Sequence, residues 1–154
     1  MNIRQATPDD RAALEAFLIE RTGSTIHVAN GEAIDITACE AMIAGDYAGV
    51  LTFRVNGKVG EILTFNAVPP LAGIGSELLS ALLAVLRARS ATELFVTTTN
   101  DNVNALRFYQ RRGFRLTELR PGAMEEARRI KPSIGREGRH GIELRDELVL
   151  TLTL

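Results

Sequence analysis

Asn102-Val103-Asn104-Ala105-Leu106-Arg107-Phe108-Tyr109-Gln110-Arg111-Arg112-Gly113-Phe114 is the stretch that decides the reading of this chain. Asn100-Asp101 ahead of it offers short polar side chains as caps, which predicts a helix over 102–112. Gly113 follows at the position where a helix ends in a left-handed turn. Asn102, Ala105, Phe108 and Tyr109 share one helical face through i, i+3 and i+4 spacing. Taken alone, Tyr109 reads more readily as a half-buried core residue with a satisfied hydroxyl than as a reactive group.

Upstream, residues 93–99 (Glu-Leu-Phe-Val-Thr-Thr-Thr) are rich in β-formers and predict a strand. Before it, Ile74, Leu78, Leu82 and Leu86 with Leu79 and Leu83 give a broad apolar stripe, so residues 73–89 predict a well-buried helix. Pro69-Pro70 ends the preceding strand. Residues 41–44, 48–55 and 59–68 read as three antiparallel strands, with Asn56-Gly57 as the two central residues of a type I′ hairpin turn. Nearer the N-terminus, residues 3–6 alternate like a short strand. Thr7-Pro8 starts a helix that carries Leu14, Phe17 and Leu18 and ends near Gly23. Residues 24–38 are the least legible and predict loop with short strand or helix pieces.

Downstream, residues 114–119 predict a strand and Pro121-Gly122 a short helix carrying Ala123, Ala127 and Ile130. Residues 132–141, with Gly135, Gly138 and Gly141, predict a flexible loop, and the alternation from Leu148 to Leu154 a terminal strand. The order β-α-loop-β-β-β-α-β-α-β-α-β describes one α/β domain with a mixed sheet, spanning residues 1–154.

Composition agrees. The 154 residues are 45% hydrophobic, enough for one continuous core, and the formal net charge of −1 suggests neither disorder nor a general affinity for nucleic acid. Charge is uneven along the chain. Residues 1–70 hold 5 Lys/Arg against 9 Asp/Glu, and residues 71–154 hold 13 against 10, a balance that suits a polyanionic ligand or merely solvated helix faces. Cys39 is the one cysteine, which excludes an intramolecular disulfide and a thiolate metal cluster. His27 and His140 lack carboxylates at metal-ligand spacing, so no metal is expected. The polar N-terminus and the absence of any membrane-length apolar run lead us to expect a soluble, cytoplasmic protein.

Leu71-Ala72-Gly73-Ile74-Gly75-Ser76 lies between a strand and the buried helix. Glycines there allow close backbone approach, and the first amides of a helix lack internal partners, so they can bind phosphate oxygens with help from the helix dipole. A tight turn with close packing explains the same glycines. A P-loop would need Gly-Lys-Ser/Thr, and the dinucleotide fingerprint a third glycine where Leu78 stands, so neither NTP nor NAD is supported.

Together the two segments resemble the GNAT superfamily of N-acetyltransferases. Its downstream helix motif, Asn-x-x-Ala-x-x-Phe-Tyr-x-x-x-Gly-Phe, is matched at Asn102, Ala105, Phe108, Tyr109, Gly113 and Phe114. Its cofactor loop, Gln/Arg-x-x-Gly-x-Gly/Ala, is matched at Gly73 and Gly75, with Pro70 in the first position. The resemblance implies a central, mostly antiparallel sheet, splayed at the cofactor site and flanked by helices, and transfer of an acetyl or short acyl group from acetyl-CoA to a primary amine of a small molecule or protein. It implies that the amides of Leu71, Ala72, Gly73, Ile74, Gly75 and Ser76 cradle the coenzyme A pyrophosphate. Ala67 and Val68 would lie near the thioester, Asn102 and Ala105 along the pantetheine arm, and Tyr109 beside the sulfur.

The chemistry suits these groups. An ammonium of pKa about 10.4 must lose a proton before it attacks, and a departing thiolate, whose thiol has a pKa of about 8.5, is helped by a phenol of pKa about 10. Tyr109 fits the acid. Glu61, on the strand before the cofactor loop, resembles in placement the family's glutamate base, while an exposed strand carboxylate accounts for it equally well. Arg107 and Arg111 fit the outer phosphate or a solvated helix end. Arg145, Asp146 and Glu147 fit an acceptor-pocket wall or a solvated strand edge. No nucleic-acid or membrane partner is expected, and a homodimer is left open. A non-catalytic acyl-CoA sensor on the same scaffold is the rival reading.

Overall fold

From the N-terminus the elements are β1 (Ile3–Gln5), a 3-10 turn (Pro8–Asp10), α1 (Arg11–Thr22), β2 (Ile26–Ala29), β3 (Glu32–Asp35), a 3-10 turn (Ile36–Ala38), β4 (Glu40–Ala44), β5 (Gly49–Asn56) and β6 (Val59–Ala67). There follow α2 (Ile74–Ala88), β7 (Glu93–Thr99), α3 (Val103–Arg111), β8 (Arg115–Arg120), α4 (Ala123–Ile130) and β9 (Glu147–Thr153). The structure, a computed structural model, describes residues 1–67 and 73–154. These elements make an α/β architecture, as the order of patterns predicts, with the mostly antiparallel strands and flanking helices that the resemblance implies. The described residues fall into two compact units: Met1–His27 with Asp35–Thr92 and Leu154, and Val28–Ile34 with Glu93–Thr153.

In the first unit β1, β4, β5 and β6 pair antiparallel in that order. Alternation along β5 puts Gly49, Leu51 and Phe53 on one face and Val50, Thr52 and Arg54 on the other. The first of these faces carries α2. A Cβ added to Gly49 would lie 2.7 Å from Ile74 Cγ2 and 2.9 Å from Leu78 Cδ1. Ile74, Leu78, Leu79, Leu82 and Leu86 are the buried stripe of that helix, so the predicted apolar face is the one that packs. Gly49→Ala is therefore expected to force the helix outward and destabilise the protein by about 1–3 kcal/mol. Chemical denaturation of the two proteins checks it.

Thr7 and Pro8 start the first helical segment as predicted, but as a 3-10 turn feeding α1, in which the Asp10 side chain caps the Thr7 amide. Its carboxylate accepts from Arg4 Nη1 and Nη2, each at 2.7 Å, from Thr7 N at 2.8 Å and from the Tyr47 hydroxyl. The Arg4 guanidinium first, then the Tyr47 hydroxyl and the Thr7 amide, hold the Asp10 carboxyl well below the ordinary carboxylate range. On acidification the unfolded chain takes up its proton first. This contribution to stability is therefore present above about pH 4 and lost as pH falls below it. Asp10→Asn should lower the melting temperature at pH 7, and the gap to wild type should close towards pH 2, as thermal melts across that range will show.

In the second unit β9 lies between β7 and β8, antiparallel to both. Glu147, 3% exposed, pairs with Arg120 Nη1 at 2.8 Å and accepts from Asn30 N at 3.1 Å. The solvated-edge reading of Glu147 thus fails, because the carboxylate is buried against a cation and an amide. Residues 132–141, expected as a flexible loop, are tied down. Asp101, 2% exposed, accepts from Arg139 N at 2.9 Å, and a bridge joins Glu137 to Glu143. Arg128 donates to the carbonyls of Gly135 and Leu144. At Gly138 an added Cβ would fall 2.2 Å from the Ile142 carbonyl oxygen, so glycine is required by space there.

Two turns differ from expectation. Asn56 pairs with Val59, so the β5-β6 loop is Gly57-Lys58, and within it Gly57 (φ 62°) has the positive φ. The type I′ signature appears in residues 24–38 instead, where Asn30 (φ 51°) and Gly31 (φ 69°) join β2 to β3. The same Asn-Gly chemistry was present there without long flanking strands to advertise it.

Candidate functional site

The site expected from the sequence draws on both units, and each is described by itself. In the first, Gly73 is the N-cap of α2 with φ 90° and ψ −13°, a left-handed conformation that favours glycine. Among the described residues nothing stands within 4 Å of where a Cβ would be. Gly73 accepts from Glu77 N at 3.0 Å through its carbonyl, so the helix proper begins there. Ile74 is buried in the core, while Gly75 and Ser76 are half-buried. Ala67 ends β6 and is exposed. Val68, Pro70, Leu71 and Ala72, the rest of the expected loop, lie outside the described residues.

Glu61 lies on β6, opposite Arg54 of β5. Its side chain is 11% exposed, and Oε1 takes a hydrogen bond from Arg54 Nε at 2.8 Å. The alternative of an exposed strand carboxylate is set aside by this burial. Arg54 shares the face of β5 opposite α2, so the pair stands on the side of the sheet that α2 leaves uncovered. Sequence reasoning missed Arg54, although the hairpin register, once the turn is placed correctly, puts it against Glu61.

In the second unit Asn102 is the N-cap of α3, and its Oδ1 accepts from Ala105 N at 3.2 Å. Asn100 and Asp101, expected as the caps, have other duties. Asn100 Oδ1 accepts from Arg145 N and Asp146 N, and Asp101 anchors Arg139. With Oδ1 committed to the helix, any bond Asn102 gives a ligand comes from its Nδ2 hydrogens. Ala105 and Phe108 are half-buried and Tyr109 is 5% exposed, while Val103, Asn104, Arg107, Gln110 and Arg111 face solvent. The predicted face is the inward one.

Tyr109 packs edge-on between Phe108 and Phe114, with ring centroids 5.3 and 5.2 Å away. Burial pushes its phenol above the ordinary tyrosine value, so it keeps its proton at neutral pH. Gly113 (φ 92°) ends the helix as expected. Cys39 is half-buried and donates to the Asp35 carbonyl at 3.6 Å. Among the described residues no three His, Cys, Asp or Glu side chains gather as a metal site, and no helix is long and apolar enough to cross a membrane.

Known proteins supply a frame for these two half-sites. The uncharacterized protein YdhI of Bacillus subtilis (strain 168) is 36% identical over 108 residues, 70% of this chain and 68% of YdhI. An IAA acetyltransferase from Bacillus cereus ATCC 14579 superposes with a TM-score of 0.76 at 20% identity, covering 99% of this chain and 100% of the other. A GNAT family acetyltransferase from Elizabethkingia anophelis, solved with acetyl-CoA bound, superposes with a TM-score of 0.70 at 21% identity, covering 99% and 97%. Similarity at this level shows a shared fold. The model of the acetyltransferase (GNAT) family matches residues 8–114, which include the glycine turn, Glu61 and the Asn102–Phe114 motif, so the chain belongs to the GNAT acetyltransferase family.

Proposed function

We propose that the protein moves an acetyl or short acyl group from acetyl-CoA to a primary amine of a small molecule or a protein. The observation that carries this reading is Gly73: a left-handed N-cap, with no described residue within 4 Å of its Cβ position, at the head of a 15-residue helix, and helix N-terminal amides can receive phosphate oxygens. That arrangement fits the coenzyme A pyrophosphate, held by the amides of residues 71–76, and the Elizabethkingia neighbour with acetyl-CoA bound has the same fold. Ala67, Val68, Asn102 and Ala105 are assigned to the pantetheine arm.

When bound, acetyl-CoA supplies an acyl group activated as a thioester. Glu61 is the proposed base that takes a proton from the acceptor ammonium. Tyr109, protonated at neutral pH, is the proposed acid that gives one to the departing sulfur. Exclusion of water around the buried Tyr109 strengthens the hydrogen bond it can offer.

Calorimetry with acetyl-CoA, followed by thiol release with a panel of aliphatic amines, polyamines, α-amino acids, aminosugars and peptides, tests the reading. Binding with amine-dependent thiol release is the expected result. Binding without turnover over the whole panel replaces it with an acyl-CoA sensor, and absence of binding overturns both.

A further inference from the structure

We propose that Arg54 is a positioning residue for Glu61, so that the reacting group in the first unit is a β5-β6 ion pair rather than a carboxylate acting alone. This rests on the reading of Glu61 as the base. Three features of the strand pair support it. The pairing Asn56↔Val59, Val55↔Gly60, Arg54↔Glu61 places the two residues directly opposite on one face. The Nε–Oε1 bond of 2.8 Å is short and charge-assisted, which holds the carboxylate in one rotamer. The register then shifts between Thr52 and Phe53, so that Thr52 faces Thr64 and Leu63 is an extra residue on β6. Such bulges re-aim side chains on the strand that carries them.

The chemical consequence follows from atom assignment. Arg54 engages Oε1, and among the described residues Oε2 takes no hydrogen bond. Oε2 is thus the oxygen that receives the proton from an acceptor ammonium, with its direction fixed by the bond at the other oxygen. A side chain that is 11% exposed and tethered in this way loses little rotamer entropy when the acceptor arrives. Without the tether, Glu61 turns among several rotamers and presents the oxygen productively for only part of the time. The loss should appear in turnover and leave acetyl-CoA binding intact, because the role assigned to Arg54 is to orient the Glu61 carboxylate.

A double-mutant cycle decides it, using kcat for thiol release from acetyl-CoA with the best amine of the panel. Arg54→Met is expected to lower kcat about tenfold, with acetyl-CoA affinity and melting temperature held near wild type. In a Glu61→Gln background, itself about 100-fold slower, the same change should have little further effect, since a residue acting through Glu61 has nothing left to position. Equal losses in both backgrounds, or wild-type kcat in Arg54→Met, would overturn the proposal while leaving Glu61 as the base. Wild-type kcat in Glu61→Gln would remove the base assignment itself. Should Arg54→Met fail to fold, Arg54→Lys, which keeps the charge but not the planar Nε donor, enters the same cycle and is read by the same criterion.

Discussion

Replacing Tyr109 by Phe is expected to lower turnover about 100-fold, the size of effect a positioned proton donor supplies, and to change acetyl-CoA affinity little, if Tyr109 is the acid proposed above. The hydroxyl is the one group removed. The ring stays between Phe108 and Phe114, so the packing that buries it at 5% exposure survives. Burial raises the phenol above its ordinary value, so the donor remains protonated through neutral and mildly alkaline pH. Activity should therefore show no alkaline loss from this group below about pH 10. Steady-state kinetics with calorimetric affinities check both parts. An unchanged kcat in the variant removes Tyr109 from the acid role.

Gly73→Val should weaken coenzyme A binding at least tenfold while leaving α2 folded. Two costs act together. The backbone stands at φ 90°, where a residue with a Cβ loses about 1–2 kcal/mol, and a branched side chain would stand beside the first amides of α2, where no described residue lies within 4 Å of the Cβ position. Gly122→Val is the matched control, since Gly122 caps α4 at φ 72°, also with nothing within 4 Å of a Cβ. It carries the same kind of backbone cost far along the chain from the phosphate residues, and it should keep wild-type affinity. Wild-type affinity in Gly73→Val would argue against the phosphate cradle.

The two proposals of chemistry stand on different physics, and that separates their tests. The role proposed for Gly73 is ground-state binding of a charged group, so its variant is expected to move Kd. Tyr109 and the Arg54-Glu61 pair concern proton transfer, so their variants move kcat.

Local patterns in the amino-acid sequence were sufficient for the long elements, though not for the short strands β2 and β3. The stripe of Ile74, Leu78, Leu82 and Leu86 determined α2, the Asn102–Phe114 spacing determined α3 with Gly113 at its end, and the alternation of 148–154 determined β9. Each depends on neighbours within one or two turns, and periodicity records them directly. Caps were less legible: Asn100, Asp101 and Asn102 are chemically equivalent as candidates, and only the demands of residues 136–146 on the first two leave capping to the third.

The register of β5 against β6 lay with tertiary structure. An Asn56-Gly57 loop would have set Thr52 opposite Glu61, whereas the Gly57-Lys58 loop sets Arg54 there, and the ion pair follows from that one-residue difference. Turn chemistry permits both loops, because glycine supplies the positive φ in either. The two registers keep every side chain on its own face, so the cross-strand pairs that each brings together, Arg54 with Glu61 among them, distinguish them. Strand identity is a property of a short segment, but the partner that a buried carboxylate meets belongs to the packed sheet.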